Sequence, residues 1–280
     1  MSVIIIAEIG INHNGDMDLA KRLIDACKKA GADYAKFQMR NLKELYRDSD
    51  DYKDEDLSSQ YVLDLLKKFS LTNEELFELF DYCKEIDILP LCTPWDFSSF
   101  NALEEYGISA YKTASADLTN HELLKAIALT GKKMYVSTGM STEKEIIEVQ
   151  HLLSRLKADY IFLQCNSTYP TPFKDVNLNY LKDLERISRR QVGYSGHERG
   201  IFIPMAAVAN GACVIEKHIT LSREMEGNDH RVSLLPDEFA QMVIGIRQIE
   251  ESLGSPAVGG RLCSPGELIN REGLAKSIVA

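Results

Sequence analysis

Short apolar runs rich in β-branched residues alternate along the chain with longer segments that carry apolar residues at helical spacing. The short runs predict eight buried strands, at residues 3–8, 34–38, 88–92, 110–113, 133–137, 160–165, 191–194 and 212–216. Each strand precedes a predicted helix, at residues 18–30, 73–85, 97–106, 120–129, 143–156, 176–187, 201–210 and 236–253. Eight strand–helix units in this order predict an α/β protein with the (β/α)8 TIM-barrel fold.

An open, doubly wound sheet is the alternative fold, although such sheets usually have fewer strands. No Gly-x-Gly-x-x-Gly sequence follows the first predicted strand, which argues against a dinucleotide-binding domain. Two stretches depart from the repeating pattern. Residues 39–72 form a long acidic connection, which is typical of a functional lid or a disordered insertion. Residues 255–280 are rich in Gly and Pro, so we expect a barrel domain over 1–254 and an extended tail or linker over 255–280.

Composition excludes several classes of function. The chain has 280 residues, a net charge of −10 and a pI of about 5.2. This balance argues against binding to nucleic acid or to a membrane surface, which requires clustered Lys and Arg, but it leaves room for an anionic substrate. The sequence contains neither a membrane-helix-length apolar stretch nor the basic start of a signal peptide. Its six scattered cysteines form no Cys-x-x-Cys pair, so we expect a reducing, cytoplasmic location.

Polar side chains stand at or just beyond the ends of the predicted strands, which form the active-site face of a TIM barrel. The candidate residues are Glu8, Lys36, Gln38, Thr93, Lys112, Ser115, Ser137, Ser167, Tyr169, Ser195, His197 and His218. Two lysines and several hydroxyls near one axis suit a ligand with a carboxylate and a phosphate, because charge-assisted hydrogen bonds hold both groups well.

His197 and His218 lie 21 residues apart, at the ends of the seventh and eighth predicted strands. Two imidazoles at neighbouring strand ends are suited to hold a divalent metal. Taken singly, a histidine in such a position usually has a structural role, with its hydrogen bonds made by neighbouring groups. A lysine such as Lys36 or Lys112 is usually a solvated charge or the partner of a carboxylate such as Glu8. The recurrence of polar residues at equivalent strand ends favours the functional interpretation.

Two further segments have more than one interpretation. His13, in the sequence INHNG, either takes part in the site or simply shapes the first turn. Asp229 and His230 follow the last predicted strand in a loop that either covers the site or faces solvent.

Nine segments match, in chain order, the motifs of one known family. They are AEIGINHNG (7–15), GADYAKFQ (31–38), TPW (93–95), YKTASAD (111–117), STGM (137–140), CNSTYPTP (165–172), GYSGH (193–197), EKHIT (216–220) and EGNDHRVS (226–233). With these motifs the chain resembles the sialic acid synthase (N-acetylneuraminate synthase) family, which includes legionaminic and pseudaminic acid synthases and spore-coat polysaccharide relatives.

The resemblance implies a transferase that condenses phosphoenolpyruvate with an N-acylated hexosamine, either N-acetylmannosamine or a 6-deoxy-diacetamido analogue. The product is a nine-carbon 2-keto sugar acid, and phosphate leaves by C–O cleavage. The resemblance also implies a homodimer and a divalent metal, with Mn²⁺ expected and Mg²⁺ or Co²⁺ as alternatives. Two other functions stay open: a different phosphoenolpyruvate–aldose synthase, and a barrel that binds ligand without turnover as a subunit for a partner.

The resemblance assigns roles by position. His197 and His218 match the metal ligands, and Glu8 and Asp117 are the candidates to take the proton of the water that adds to phosphoenolpyruvate. The positions that match the phosphoenolpyruvate site are Lys36, Thr93, Lys112, Ser115, Ser137, Ser167 and Ser195. The positions that match those facing the sugar and the metal-bound water are Glu8, Gln38, Tyr169 and Asp229.

Four departures from the family pattern bear on the site. Gly196 stands where members usually have Asp before the first histidine, which leaves Glu198 as a nearby substitute to orient His197. Asp117 stands where many members have Glu, and Ser167 where some have Asn. The family continues past the end of this sequence into a small antifreeze-like domain, which supplies an arginine to the partner's sugar site. We therefore expect the barrel domain alone.

Overall fold

Eight parallel strands close into a barrel in chain order. The computed structural model describes residues 2–45, 57–254 and 261–276. The strands are β1 Ile4–Gly10, β2 Tyr34–Met39, β3 Leu89–Pro94, β4 Ala110–Thr113, β5 Lys133–Ser137, β6 Tyr160–Cys165, β7 Gly193–Gly196 and β8 Val214–His218. The last strand pairs with the first, with Glu8 opposite His218, and this pairing closes the sheet. The predicted (β/α)8 TIM barrel is confirmed.

Helices surround the barrel and connect its strands. They are α1 Met17–Ala30, α2 Leu42–Leu45, α3 Leu57–Phe69, α4 Asn73–Glu85, α5 Phe97–Tyr106, α6 His121–Leu129, α7 Glu143–Arg155, α8 Tyr180–Ser188, α9 Phe202–Ala209, α10 Pro236–Leu253 and α11 Pro265–Leu274. Several begin at side-chain caps. Thr72 and Glu75 form a reciprocal capping box at α4, which satisfies backbone N–H groups that the first helical turn leaves free.

The larger apolar core lies between the barrel and the helices. Leu23, Ile24 and Cys27 of α1 are fully buried in it, at the spacing that keeps them on one helical face. Burial of each such aliphatic side chain contributes about 1.5–3 kcal/mol to folding. This core fixes the helices against the outer face of the strands and so sets the positions of the strand ends.

The barrel interior divides into an apolar floor and a polar upper half. Side chains alternate across each strand, so residues two apart share a face. On β8, Val214 belongs to the floor, and Glu216 and His218 follow it on the inner face. The floor is made by Ile6, Leu91, Ala110, Tyr135, Leu163 and Val214. Polar groups therefore gather above the floor at the carboxyl ends of the strands.

Three differences from the predicted elements concern the strands of the two histidines, the long connection and the tail. β7 and β8 each start two residues later than predicted and continue to the histidine motifs. The connection over 39–72 contains α2 and α3, while residues 46–56 of that predicted lid lie outside the described residues. Helix α11 forms within the predicted extended tail, because Ser264 and Glu267 cap a segment that begins with a proline. Residues 255–260 and 277–280 of the tail lie outside the described residues.

Candidate active site

A cavity of about 330 Å³ opens at the carboxyl ends of the strands. Its lining includes every predicted site residue except Asp117. The predicted residues that line it are Glu8, Lys36, Gln38, Thr93, Lys112, Ser115, Ser137, Ser167, Tyr169, Ser195, His197, His218 and Asp229. Strand alternation and barrel closure thus bring together side chains from both ends of the sequence.

Two lysines and two carboxylates form a buried cluster at the base of the cavity. Lys36 Nζ donates to Glu8 Oε2 at 2.5 Å and lies 3.8 Å from Glu216 Oε1. Lys112 Nζ lies 3.8 Å from Glu216 Oε2 and donates to Ser137 Oγ at 2.6 Å. Glu216 therefore bridges the two lysines. Buried charges require such partners, because leaving one unpaired costs several kcal/mol.

The cluster shifts the pKa values of its members. Burial raises the pKa of the Glu8 carboxyl, and Lys36 offsets part of the rise. Burial acts the same way on Glu216, but Lys112 and Lys36 together hold its pKa below the usual range. Burial lowers the pKa of the Lys112 ammonium, and Glu216 opposes that fall. Glu216 is thus the fixed anion of the cluster, which keeps the two ammonium groups together.

The sequence motifs contained Glu216, but sequence reasoning did not single it out. A signal for it was present: Glu216 lies two residues before His218 on the same strand, and strand alternation places both on the inner face. A charged residue on the inner face of a buried strand is rare without a charged partner. The predicted lysines at neighbouring strand ends supplied that partner.

Ser115 and Ser167 converge on the backbone of Gly139, at the side of the cavity formed by β4, β5 and β6. The Gly139 N–H donates to Ser115 Oγ at 3.2 Å. A Cβ on Gly139 would lie 2.7 Å from Ser115 Oγ and would also collide with Ser167 Oγ. The glycine leaves a concave surface with two hydroxyls, which suits the oxygens of an anionic ligand.

His197 and His218 face each other across the cavity, with ring centroids 5.4 Å apart. His197 Nδ1 lies 2.7 Å from the Asn166 carbonyl, so Nδ1 carries the proton and the Nε2 lone pair stays available. His218 Nδ1 is buried, has no hydrogen-bond partner among the described residues and lies 3.9 Å from Asp229 Oδ2. Burial holds the pKa of His218 well below its usual range, and the positive charge of Lys36 acts in the same direction.

The donor set fits a divalent cation with few protein ligands. Two imidazole nitrogens and the Asp229 carboxylate border one part of the cavity, and neutral imidazole is a common ligand of divalent transition metals. Within residues 2–45, 57–254 and 261–276, no three or more His, Cys, Asp or Glu side chains cluster closely enough to hold a metal by themselves. His197 and His218 would therefore bind a cation together with substrate or solvent oxygens.

Glu198 does not orient His197, contrary to the prediction. Its carboxylate receives hydrogen bonds from Lys217 Nζ at 2.7 Å and from the Tyr194 hydroxyl at 2.5 Å. A Cβ at Gly196 would lie 2.7 Å from the Glu198 carboxylate, so the glycine leaves room for this buried pair. The Asn166 carbonyl orients His197 instead.

Asp117 lies in the short 3-10 turn after β4 and is separate from the cavity lining. Its Oδ1 accepts a hydrogen bond from Asn120 Nδ2 at 3.1 Å, and burial raises the pKa of its carboxyl. His13 is buried, and its Nδ1 accepts a hydrogen bond from the Gly15 N–H at 3.1 Å. This contact fits the predicted role of His13 in shaping the first turn.

The mouth of the cavity contains residues that sequence reasoning missed. Arg40 lies over the Trp95 ring at 4.3 Å and donates to Gln38 Oε1. Leu65 and Leu66 of α3 also border the cavity. Both leucines belong to the long connection, so part of that connection borders the site. Their placement could not be predicted, because no local pattern fixes where a long connection folds back.

The described helices include none that is long and apolar enough to cross a lipid bilayer.

The fold and the cavity define a TIM-barrel enzyme whose site joins a lysine–carboxylate cluster to a pair of histidines. Residues 23–257 match the model of the NeuB family, and the chain belongs to this family. The predicted family and enzyme class, a transferase of the N-acetylneuraminate synthase type, are confirmed.

Similar proteins cover nearly the whole chain. The N,N'-diacetyllegionaminic acid synthase of Campylobacter jejuni is 39% identical over 99% of this chain and 84% of its own length. Human N-acetylneuraminate-9-phosphate synthase is 37% identical over 99% of this chain and 77% of its own length. The crystal structure of N-acetylneuraminic acid synthetase from Leptospira borgpetersenii in complex with citrate has a TM-score of 0.88 at 33% identity, and the match covers 99% of this chain and 94% of that one.

Proposed function

We propose that this protein condenses phosphoenolpyruvate with an N-acylated hexosamine to give a nine-carbon 2-keto sugar acid and phosphate. The observation that carries the proposal is the bridge from Lys36 through Glu216 to Lys112, below a pair of histidines in one cavity. The two similar enzymes described above are an N,N'-diacetyllegionaminic acid synthase and an N-acetylneuraminate-9-phosphate synthase. These names support the class of product and leave the particular sugar to experiment.

Phosphoenolpyruvate would bind at the base of the cavity. Lys36 and Lys112 supply two buried ammonium groups for its carboxylate and phosphate. Hydroxyls that surround the lysines complete the site; they belong to Thr93, Ser115, Ser137, Ser167 and Ser195. Groups that hold the phosphate also stabilise the charge that develops as phosphate departs.

The hexosamine would bind above phosphoenolpyruvate, between the two histidines and the mouth. Gln38, Tyr169 and Asp229 line this outer part of the cavity. A divalent cation on His197 and His218, with Mn²⁺ expected and Mg²⁺ or Co²⁺ as alternatives, would supply Lewis-acid polarisation of the open-chain aldehyde. The orientation of His197 is preset by the Asn166 carbonyl.

The proposed reaction forms one C–C bond and breaks one C–O bond. C3 of phosphoenolpyruvate attacks the aldehyde carbon of the sugar, and the aldehyde oxygen becomes a hydroxyl. Water then adds to C2, which forms a new C–O bond and releases a proton. The bond from C2 to the bridging oxygen breaks, phosphate leaves with that oxygen, and C2 becomes the keto carbon as the added hydroxyl loses its proton. Glu8 is the better placed base for the proton of that water, because it lines the cavity whereas Asp117 does not.

The test is phosphate release from phosphoenolpyruvate and Mn²⁺ with a panel of aldoses. N-acetylmannosamine with and without a 6-phosphate, a 6-deoxy-diacetamido hexosamine and arabinose 5-phosphate distinguish the substrate classes, and mass spectrometry identifies the product. Phosphate release with an N-acylated hexosamine supports the proposal. Release with arabinose 5-phosphate alone would assign a different phosphoenolpyruvate–aldose synthase, and no release with any aldose would leave a ligand-binding barrel.

His218→Ala, with His121→Ala as its matched control, tests the role of the histidine pair. His121 is exposed at the start of α6, so its loss should leave turnover unchanged. His218→Ala should abolish metal-dependent turnover. Turnover with normal metal dependence in His218→Ala would exclude the assignment.

We also propose a cytoplasmic homodimer. All six cysteines are free, as expected in a reducing compartment. Apolar side chains on and beside α11 are exposed, among them Leu262, Ile269 and Leu274, which supports contact with a second chain. Light scattering of the purified protein measures the oligomeric state, and a monomer at micromolar concentration would contradict the dimer.

A further inference from the structure

Two loops meet at one side of the cavity mouth. The first turn, residues 11–15, follows β1, and the Asp229 loop, residues 219–235, follows β8. The Asp229 loop carries the carboxylate that lies 3.9 Å from His218 Nδ1. The first turn contributes little to the polar lining of the cavity itself, although its sequence INHNG is rich in side-chain amides.

Asn12 connects the first turn to both ends of the Asp229 loop. Its Nδ2 donates to the Ile219 carbonyl at 2.8 Å and to Ser233 Oγ at 2.9 Å. Ser233 Oγ in turn donates to the Asp229 carbonyl at 2.7 Å. Asn12 is buried, so these hydrogen bonds are shielded from water and are costly to break.

Asn14 connects the first turn to the middle of the Asp229 loop through His230. Asn14 Nδ2 donates to the Glu226 carbonyl at 3.0 Å, and Asn14 Oδ1 lies 3.0 Å from His230 Nε2. His230 Nδ1 lies 2.6 Å from Thr220 Oγ1. A neutral imidazole with its proton on Nε2 satisfies both contacts, because it donates to Asn14 and accepts from the Thr220 hydroxyl.

We propose that the first turn is a positioning device for Asp229. Asn12, Asn14 and His230 hold the Asp229 loop over the mouth, so that the carboxylate stands beside His218 before the hexosamine arrives. These three are positioning residues, since they act through Asp229 and lie apart from the reacting atoms. This inference rests on the proposed function, because Asp229 is taken there to face the sugar.

The residue types fit this role. Asn14 has a backbone φ of 51°, in the left-handed region that Asn adopts more readily than most residues. Its amide both donates to one backbone carbonyl of the loop and accepts from a ring of the same loop. An ionised carboxylate has no hydrogen to donate to the carbonyl, and a hydroxyl has a single oxygen in place of the two separate amide atoms that make these contacts. One side chain therefore fixes the loop at two points.

Asn14→Gly tests the proposal, because glycine keeps the left-handed backbone and removes only the amide. Lys157→Gly is the matched control: Lys157 has a φ of 56° and is exposed after α7. We expect Asn14→Gly to raise the KM for the hexosamine about tenfold, the effect of one to two net hydrogen bonds, with the KM for phosphoenolpyruvate within about twofold of wild type. Lys157→Gly should change neither constant.

A double-mutant cycle separates positioning from general destabilisation. In an Asp229→Ala background, Asn14→Gly should cause no further loss, because the carboxylate that it positions is already gone. Unchanged hexosamine KM in Asn14→Gly, or an equal further loss in the Asp229→Ala background, would overturn the proposal.

Hydrogen exchange of the peptide over 221–234 gives a readout that needs no turnover. Asn14→Gly should accelerate its exchange, and Lys157→Gly should not. If the wild-type protein turns over none of the aldoses, the proposed function fails and this measurement alone decides the positioning role. Unchanged exchange in Asn14→Gly would then overturn it.

Discussion

At the scale of single residues, the candidate site depends on how buried charges are paired. Lys36 Nζ and Lys112 Nζ each lie 3.8 Å from a carboxylate oxygen of Glu216 at the base of the cavity. An anionic substrate is able to compete with Glu216 for the ammonium groups. At each lysine burial lowers the pKa, and the charge of Glu216 opposes that effect, together with Glu8 at Lys36.

Glu216→Gln should change the pH dependence of the reaction. Burial already lowers the pKa of Lys112, and loss of the Glu216 charge removes the influence that opposes this fall. The charged form of Lys112 is then lost as the pH rises through a lower pKa. We expect kcat/KM for phosphoenolpyruvate to fall at a lower pH in Glu216→Gln than in wild type, because Lys112 loses its proton earlier as the pH rises. Parallel pH profiles of the two proteins would contradict the bridging role.

Glu8→Gln and Asp117→Asn distinguish the two candidate bases. Loss of a general base typically lowers kcat by about 100-fold or more. We expect that loss for Glu8→Gln, because Glu8 lines the cavity, and a loss of less than about tenfold for Asp117→Asn. Steady-state kinetics of both variants provide the measurement, and the reverse order would assign the proton transfer to Asp117.

At the scale of elements, a buried ion pair ties β8 to the loop after β7. Lys217 and Glu198 are both fully buried and are 2.7 Å apart. Each is the sequence neighbour of one of the two histidines, so the pair fixes the ends of the two strands relative to each other. Tyr194 completes the group with a hydrogen bond to Glu198.

Lys217→Met should destabilise the fold by about 3–5 kcal/mol, because it leaves the Glu198 carboxylate buried and unpaired. Adding Glu198→Gln should recover at least about half of that loss, since the orphan charge is removed. Lys133→Met is a matched control on a surface pair with Asp159 and should cost less than about 1 kcal/mol. Urea unfolding measures all three variants. Equal losses for Lys217→Met and Lys133→Met would show that the buried pair has no special role.

The elements also show what could be predicted from the sequence. The strands could be predicted because both of their faces are covered, so each is apolar for most of its length. The polar residues at the strand ends could also be predicted, because they interrupt those apolar runs. The pairing of Glu198 with Lys217 could not be predicted. The two residues are 19 positions apart, and their contact depends on how two strands pack together. Helix α11 was missed because its Gly and Pro content outweighed its capping signal.

At the scale of the whole molecule, the barrel and the segment after it differ in burial. The barrel has a continuous core between its strands and helices α1 and α4 to α10. The described residues of the final segment, 261–276, are exposed throughout. Arg261 and the backbone N–H of Ser264 both donate hydrogen bonds to Glu267 within the segment. The barrel therefore holds the candidate site without support from α11.

At a dilution at which light scattering finds both chains monomeric, a chain that ends at Gly254 should unfold at the same temperature as the full chain within about 2 °C, because the segment buries little surface against the barrel. Thermal unfolding followed by circular dichroism measures this. A drop of about 10 °C or more between the two monomers would show that the segment packs on the barrel. At higher concentration, loss of the dimer in the shortened chain would place the segment at the contact with a second chain.

The central claim is that phosphoenolpyruvate loses its phosphate by C–O cleavage while a C–C bond forms to the sugar. Phosphoenolpyruvate labelled with ¹⁸O at the bridging oxygen tests it directly, with the accepted hexosamine and Mn²⁺ present. We predict that the label appears in inorganic phosphate, as an isotope shift in the ³¹P NMR spectrum, at the same rate as sugar acid forms. Unlabelled phosphate would show that the P–O bond breaks, and it would contradict this account of the site.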